Sequence, residues 1–148
     1  MKLSSKARYA TEAMVDLARH SDGGLVLLRD VSERIVVSEG YLEQLLMPLK
    51  AGGLVRTARG ANGGFALGRH RSEIRLSDIL RVVEGSMAPA QCVDEPQACA
   101  RSAMCPTREV WARMKEATDH VLESTTLQDL IEQKGEQTEK EAANATNR

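Results

Sequence analysis

The chain has 148 residues, 42% of them hydrophobic, with a formal net charge of −1, which is one domain's worth of chain with room for appended helices. No run approaches the roughly 20 apolar residues of a membrane span, and "MKLSSKARYA" at the start lacks an apolar signal core, so a cytoplasmic protein is expected. The charge is unevenly spread: residues 1–75 hold 12 Lys/Arg against 8 Asp/Glu, residues 76–148 hold 8 against 13, and only the first half suits a polyanionic partner.

In chain order, Ala10, Ala13, Met14, Leu17 and Ala18 recur at helical spacing over residues 4–20, behind Ser4 and Ser5 as possible caps, and "SDGG" ends that helix. "LVLL" (25–28) predicts a small strand, "RDVSERI" (29–35) a short helix and "VVS" a turn. Ser38 then caps a second helix with Leu42, Leu45, Leu46 and Leu49 as its apolar stripe. Pro48 lies within it and "AGG" (51–53) stops it.

Two extended runs follow, "LVRTA" and "FALGR", on either side of "RGANGGF" (59–65). A phosphate loop belongs between a strand and a helix, and Gly60, Gly63 and Gly64 fit neither glycine-rich phosphate motif. The heptapeptide therefore reads as a hairpin tip. A helix-turn-helix followed by a hairpin is the winged-helix order. The predicted fold is mainly α with a small β-hairpin wing, a winged helix-turn-helix DNA-binding domain over residues 1–85.

"LSDILRVVEG" (76–85) predicts a further helix. Residues 86–105 form a loop holding all three cysteines. From Pro106, expected at the first helical position, Val110, Met114, Ala117 and Val121 form a coiled-coil-like seam that suits pairing with a second copy. Residues 106–133 thus read as a dimerisation helix plus the short helix "TTLQDLIEQ", and 134–148 as a disordered polar tail.

On the second helix Ser38, Tyr41, Glu43, Gln44 and Lys50 lie off the leucine stripe. Gln44 has the chemistry to read adenine and Glu43 to accept from cytosine N4. Lys50, Arg56 and Lys6 suit phosphate, as Asn62 and the glycine backbone suit phosphate or sugar. Arg59 suits a narrow minor groove. Each, taken singly, is equally consistent with a solvated surface; the order of elements carries the reading.

Cys92, Cys99 and Cys105 have a C-x6-C-x5-C spacing. The close cysteine pair usual for zinc is absent, and so is ferredoxin spacing. Wider gaps in a flexible loop suit a larger object such as an iron–sulfur cluster.

"LSSKARYATEAM", "VSEGYLEQLLMPLKAGGLVRTARGANGGFAL", "LSDILRVVEG", the cysteine trio and "STTLQDL" resemble the IscR/NsrR/RirA family of bacterial winged-helix regulators over about residues 1–133. The resemblance implies a homodimeric transcriptional regulator, mostly a repressor, on a palindromic double-stranded operator. By position it implies reading residues Tyr41, Glu43 and Gln44, a minor-groove Arg59, and Cys92, Cys99 and Cys105 as ligands of one [2Fe-2S] or [4Fe-4S] cluster per subunit. Operator affinity would then respond to cluster supply, iron, nitric oxide or redox state.

The chain departs from the family pattern at the fourth ligand. Arg108 stands where some members have histidine, and Arg8 where others place an aspartate reaching the partner's cluster. Glu12, Asp94 and Glu95 are the candidate substitutes, alongside an exogenous ligand. His120 is about 18 Å further along the helix from Arg108. The alternative is a cluster-free regulator controlled by a partner protein or by cysteine thiol oxidation; similar regulators that lack the cysteines respond to a partner enzyme of cysteine metabolism. No nucleophile–base pair, cofactor fingerprint or small-molecule substrate site is legible, so no enzyme activity is expected.

Overall fold

Helix α1 (Ser5–His20) begins where the Ser4 hydroxyl accepts from the Ala7 N–H at 3.0 Å. In this computed structural model, which describes residues 2–22 and 24–146, with backbone alone at 134–139, α1 is the central element. Ala7, Ala10, Ala13 and Ala18 are buried beside Met14 and Leu17, and these small side chains let neighbouring helices approach closely. Helices α2 (Leu28–Ile35), α3 (Glu39–Ala51) and α4 (Leu76–Val83) pack on it. The apolar stripe of α3 (Leu42, Leu45, Leu46, Leu49) completes the core.

An ion pair fixes α2 against α1. Arg34 donates from Nε and Nη2 to the two carboxylate oxygens of Asp16, each at 2.8 Å. Asp16 is only 7% exposed, and its carboxylate holds the Arg34 guanidinium above its ordinary pKa. The α2–α3 turn is then short: Val36 caps α2 in the left-handed conformation, and Ser38 accepts from Tyr41 N–H at 3.2 Å to start α3. α3 runs through Pro48 and stops at Gly52.

The hairpin is as the sequence predicts. β1 (Val55–Ala58) pairs antiparallel with β2 (Gly64–Leu67), Val55 opposite Leu67 and Ala58 opposite Gly64. Gly60 takes φ +104 in the tip, and a Cβ on Gly63 would lie 2.4 Å from the Ala58 carbonyl oxygen, so both positions need glycine. The strand expected from "LVLL" reduces to one bridge, Val26 to Phe65, with N···O distances of 2.7 and 2.8 Å. Leu28 instead opens α2.

After α4, residues 86–105 fold into three single turns: α5 (Gln91–Asp94) and the 3-10 turns Pro96–Ala98 and Ser102–Met104. Helix α6 (Arg108–Ser124) follows with Thr107 at its N-cap, so Pro106 precedes the cap rather than occupying the first helical position. The last helix, α7 (Leu127–Thr146), corrects two expectations. Leu127 is fully buried in the same core as α1, joining the C-terminal part to the helices and hairpin of the first half. The chain past residue 133 also continues as helix to Thr146 rather than as a disordered tail, because its Glu, Gln, Lys and Ala residues favour helix even without an apolar stripe. Residues 147 and 148 lie outside the described residues.

The α6–α7 junction is stitched to the start of α4. Arg75 and Thr126 form a bridge, Leu76 N–H donates to Thr125 O at 2.9 Å, and Leu127 N–H to Ile74 O at 3.0 Å. Thr126 and Asp129 cap α7 reciprocally: the carboxylate accepts from Thr126 N–H and Oγ1 at 2.8 Å each, and Thr126 Oγ1 accepts from Asp129 N–H at 3.2 Å.

Candidate nucleic-acid interface and cysteine segment

With its leucine stripe buried, α3 turns Glu39, Gly40, Glu43, Gln44 and Lys50 to solvent, and the capping Ser38 is exposed as well. Tyr41 differs from the other candidate readers. It is half-buried, and its ring meets Tyr9 edge-on at 6.0 Å, so it braces α3 against α1. α3 joins β1 through a tight turn in which Gly53 N–H donates to Lys50 O and Leu54 N–H to Leu49 O, so the helix and the hairpin leave one compact corner. Arg56 on β1 and Arg59 and Asn62 in the tip are exposed.

Some cations are engaged by acids and others are not. Arg29, Arg34, Arg69 and Arg71 are engaged by Asp30 and Glu33, Asp16, Asp78 and Asp22 respectively. Lys6, Lys50, Arg56 and Arg59 are exposed and carry no ion pair among the described residues. These four are the residues expected to meet phosphate or a groove; Lys2, Arg8, Arg19, Arg75 and Arg81 are also exposed without an ion pair among the described residues. A cation whose charge is not already spent on a carboxylate keeps its full attraction for a polyanion.

Cys92, Cys99 and Cys105 are free and half-buried. Cys105 Sγ lies 3.2 Å from Thr107 Oγ1. Its thiol is held below the ordinary value by that hydroxyl, then by the Thr107 and Arg108 N–H groups opening α6, with Arg101 adding a smaller attraction. These donors suit a thiolate, and hydrogen bonds to sulfur are what a thiolate-held cluster uses. The donor set therefore fits an iron–sulfur group in its chemistry. The three thiols sit on separate turns, and no three His, Cys, Asp or Glu side chains among the described residues converge on a single metal position.

Two of the three candidate fourth ligands have other partners. Asp94 accepts from the Ser86 hydroxyl and lies 4.0 Å from Lys115 Nζ, while Glu95 accepts from Gln91 Nε2 at 3.1 Å. Glu12 lines a cleft with Arg34 and Leu130, away from any cysteine of its own chain. Arg108, where some similar regulators carry histidine, donates from Nε to the Cys92 carbonyl at 2.9 Å. The Arg108 and Lys115 contacts, two turns apart on α6, hold α5 to that helix. Neither was legible beforehand, because both join residues 16 or more apart in sequence. The turn expected at residues 36–38 is present, but the left-handed conformation of Val36 within it was not legible, because a β-branched residue disfavours it.

The apolar seam of α6 faces away from its own domain. Val110, Met114 and Val121 are 47%, 38% and 59% exposed, while Trp111, Lys115, Asp119 and Leu122 on the opposite side are half-buried. Among the described residues no helix is long and apolar enough to cross a membrane.

A family profile described as "Rrf2: Iron-dependent Transcriptional regulator" matches residues 3–133. The chain is 39% identical over 130 residues to the HTH-type transcriptional regulator CymR of Bacillus subtilis, covering 88% of this chain and 89% of that protein. It is 39% identical over 131 residues to the HTH-type transcriptional regulator IscR of Serratia proteamaculans, covering 88% and 79%. Among solved structures it resembles CymR (YrzC), the global cysteine regulator of B. subtilis, with TM-score 0.74, 38% identity and coverage of 88% and 95%. It resembles IscR of T. potens equally, with TM-score 0.74, 38% identity and coverage of 90% and 88%.

Proposed function

The chain belongs to the Rrf2 family of DNA-binding transcriptional regulators, and on that premise we propose that it is a homodimeric repressor governed by an iron–sulfur cluster on Cys92, Cys99 and Cys105. Family membership makes it a regulator and not an enzyme. The observation that carries the cluster reading is the cysteine segment itself. Its three unpaired thiols lie between α4 and α6, and Cys105 is held toward thiolate by the Thr107 hydroxyl and then by the Thr107 and Arg108 N–H groups.

On DNA, Gln44 and Glu43 read base edges from α3, with Ser38 and Tyr41 setting how that helix enters the major groove. Lys6, Lys50 and Arg56 neutralise phosphate, Arg59 enters the minor groove, and Asn62 bonds the sugar–phosphate backbone. The α6 seams of two copies pair, so two reading corners face two half-sites of a palindrome in the cytoplasm.

When bound, a cluster supplies an iron centre whose charge and ligation change with iron supply, oxidant or nitric oxide. The chain's own part is to gather three thiolates that otherwise sit on separate turns. Gathering them pulls on α5, which Arg108 and Lys115 fasten to α6. The fourth ligand is then Glu12 of the partner subunit, Asp94 or Glu95 released from present contacts, or an exogenous group. A cluster-free regulator switched by thiol oxidation or a partner protein is the second reading, favoured by the separation of the thiols.

An absorption spectrum of the protein purified without oxygen, with iron and acid-labile sulfide counted per subunit, tests the proposal. Visible charge-transfer bands with iron and sulfide in two-to-two or four-to-four proportion are expected. Each Cys→Ala substitution should degrade them and alter operator affinity while leaving the dimer folded. A colourless, iron-free protein with regulated DNA binding would transfer the case to the second reading.

A further inference from the structure

Val36 is the one non-glycine residue with positive φ among the described residues, at φ 59 and ψ 53. The turn requires that conformation: Val36 N–H and Val37 N–H both donate to Ser32 O, which closes α2. Glycine suits such a cap. A β-branched residue is strongly disfavoured in the left-handed region, because its two Cβ substituents crowd the backbone there. The side chain gains nothing from the core in return, since Val36 is 84% exposed. Neither backbone preference nor burial therefore accounts for valine here.

Its position suggests what does. Val36 lies two residues before Ser38, at the end of α3 that carries the exposed Ser38, Glu39, Gly40, Glu43 and Gln44. That end presents hydroxyl, carboxylates and an amide, and no other exposed apolar side chain before Met47. Polar groups serve the donor and acceptor edges of the major groove, but the thymine 5-methyl needs an apolar neighbour.

We propose that Val36 is a specificity-determining contact that packs against a thymine methyl group at the margin of the major groove. This rests on α3 being the reading helix. Contact with one methyl buries area on both partners and is expected to change affinity about fourfold.

The test uses the full-length protein and an operator selected by it from random double-stranded DNA. Thymines in one half-site are replaced singly by deoxyuridine, which removes only the methyl group. Wild type, Val36→Gly and Gln44→Ala are measured by anisotropy, and melting temperatures are taken for each. Val36→Gly should melt higher than wild type, because strain is relieved, yet bind the operator more weakly. One thymine-to-uracil change should weaken wild type and have no further effect on Val36→Gly. If Val36→Gly binds as well as wild type, or every methyl deletion acts equally on both, the contact does not exist. An unraised melting temperature would remove the strain on which the inference stands. Loss of binding in Gln44→Ala but not in Val36→Gly would reject the Val36 contact while leaving α3 as the reader. Undiminished binding in both variants would reject α3 itself.

Discussion

Arg34 and Asp16 form a two-pronged ion pair across the α1–α2 crossing, and its two members are unequally buried. The Asp16 side chain is 9% exposed and the Arg34 side chain 36%. Removing one partner is therefore not equivalent to removing the other. Arg34→Ala leaves an interior carboxylate with only the His20 ring nitrogen beside it, at 3.4 Å, whereas Asp16→Ala leaves a guanidinium that can turn to water. Arg34→Ala should cost about 2–3 kcal/mol and Asp16→Ala about 1–2 kcal/mol. Urea melts of the two variants check the order; equal losses would mean that the pair is worth only its hydrogen bonds.

The Thr126–Asp129 cap gives stability a pH dependence at the acid end. Thr126 N–H, then its hydroxyl, lowers the Asp129 carboxyl below its ordinary value. A carboxyl depressed on folding stabilises the fold above its unfolded pKa, and that contribution fades as pH falls through the folded value. Asp129→Asn should lower stability at neutral pH and change little at the acid end, where the wild-type carboxyl is itself protonated, so the acid limb of the stability curve flattens. Thermal melts from about pH 7 down to about pH 2, which take in the ordinary carboxyl value and the range beneath it, give the comparison.

Arg59→Ala should weaken operator binding by about tenfold where A·T pairs lie under the wing, the loss of one charge-assisted contact. The loss should be smaller over G·C pairs. Competition between operators differing only at those positions measures it, and equal losses would reduce Arg59 to phosphate neutralisation.

Glu43→Ala should broaden sequence choice more than it lowers affinity. Glu43 is exposed on α3 next to Gln44, and its removal deletes a repulsion from phosphate together with any cytosine contact. Selection from random DNA should return a more degenerate half-site. An unchanged consensus bound uniformly more weakly would make Glu43 a packing residue.

Met114→Arg places a charge in the middle of the exposed seam of α6. The subunit should remain folded by circular dichroism, sediment as a monomer, and bind a full palindrome no better than a half-site. A variant that still sediments as a dimer would put the pairing surface elsewhere.

What the sequence made legible was local. Ser4 and Ser38 as caps, the Leu42–Leu49 stripe and the glycines around Asn62 are signals carried within a few residues of the structure they specify. The interactions that were not legible join distant positions. Arg71 donates to Gln128 at 57 residues' separation and to Asp22 at 49, and Leu127 enters a core that begins at residue 10. Charge and apolarity mark such residues as partners for something, but only the fold selects which. Asp94 illustrates this: an acid in a cysteine loop by sequence, it lies beside Lys115 of α6 in the fold.

On the proposed reading, the bridge between Arg75 and Thr126 would make α6 a lever with its fulcrum at the C-terminal end. Three backbone hydrogen bonds clamp that end to the winged unit, α6 packs along α4, and its other end is tied to the cysteine turns through Arg108 and Lys115. Its 17 residues span about 25 Å, so a 1 Å pull at the cysteine end tilts the arm by roughly 2°. Two arms joined along their seams would add their tilts, and the separation of the wings would register the sum. A tool of this shape turns a small tightening at one tip into a change of stride between two half-sites, without disturbing the core that carries either foot.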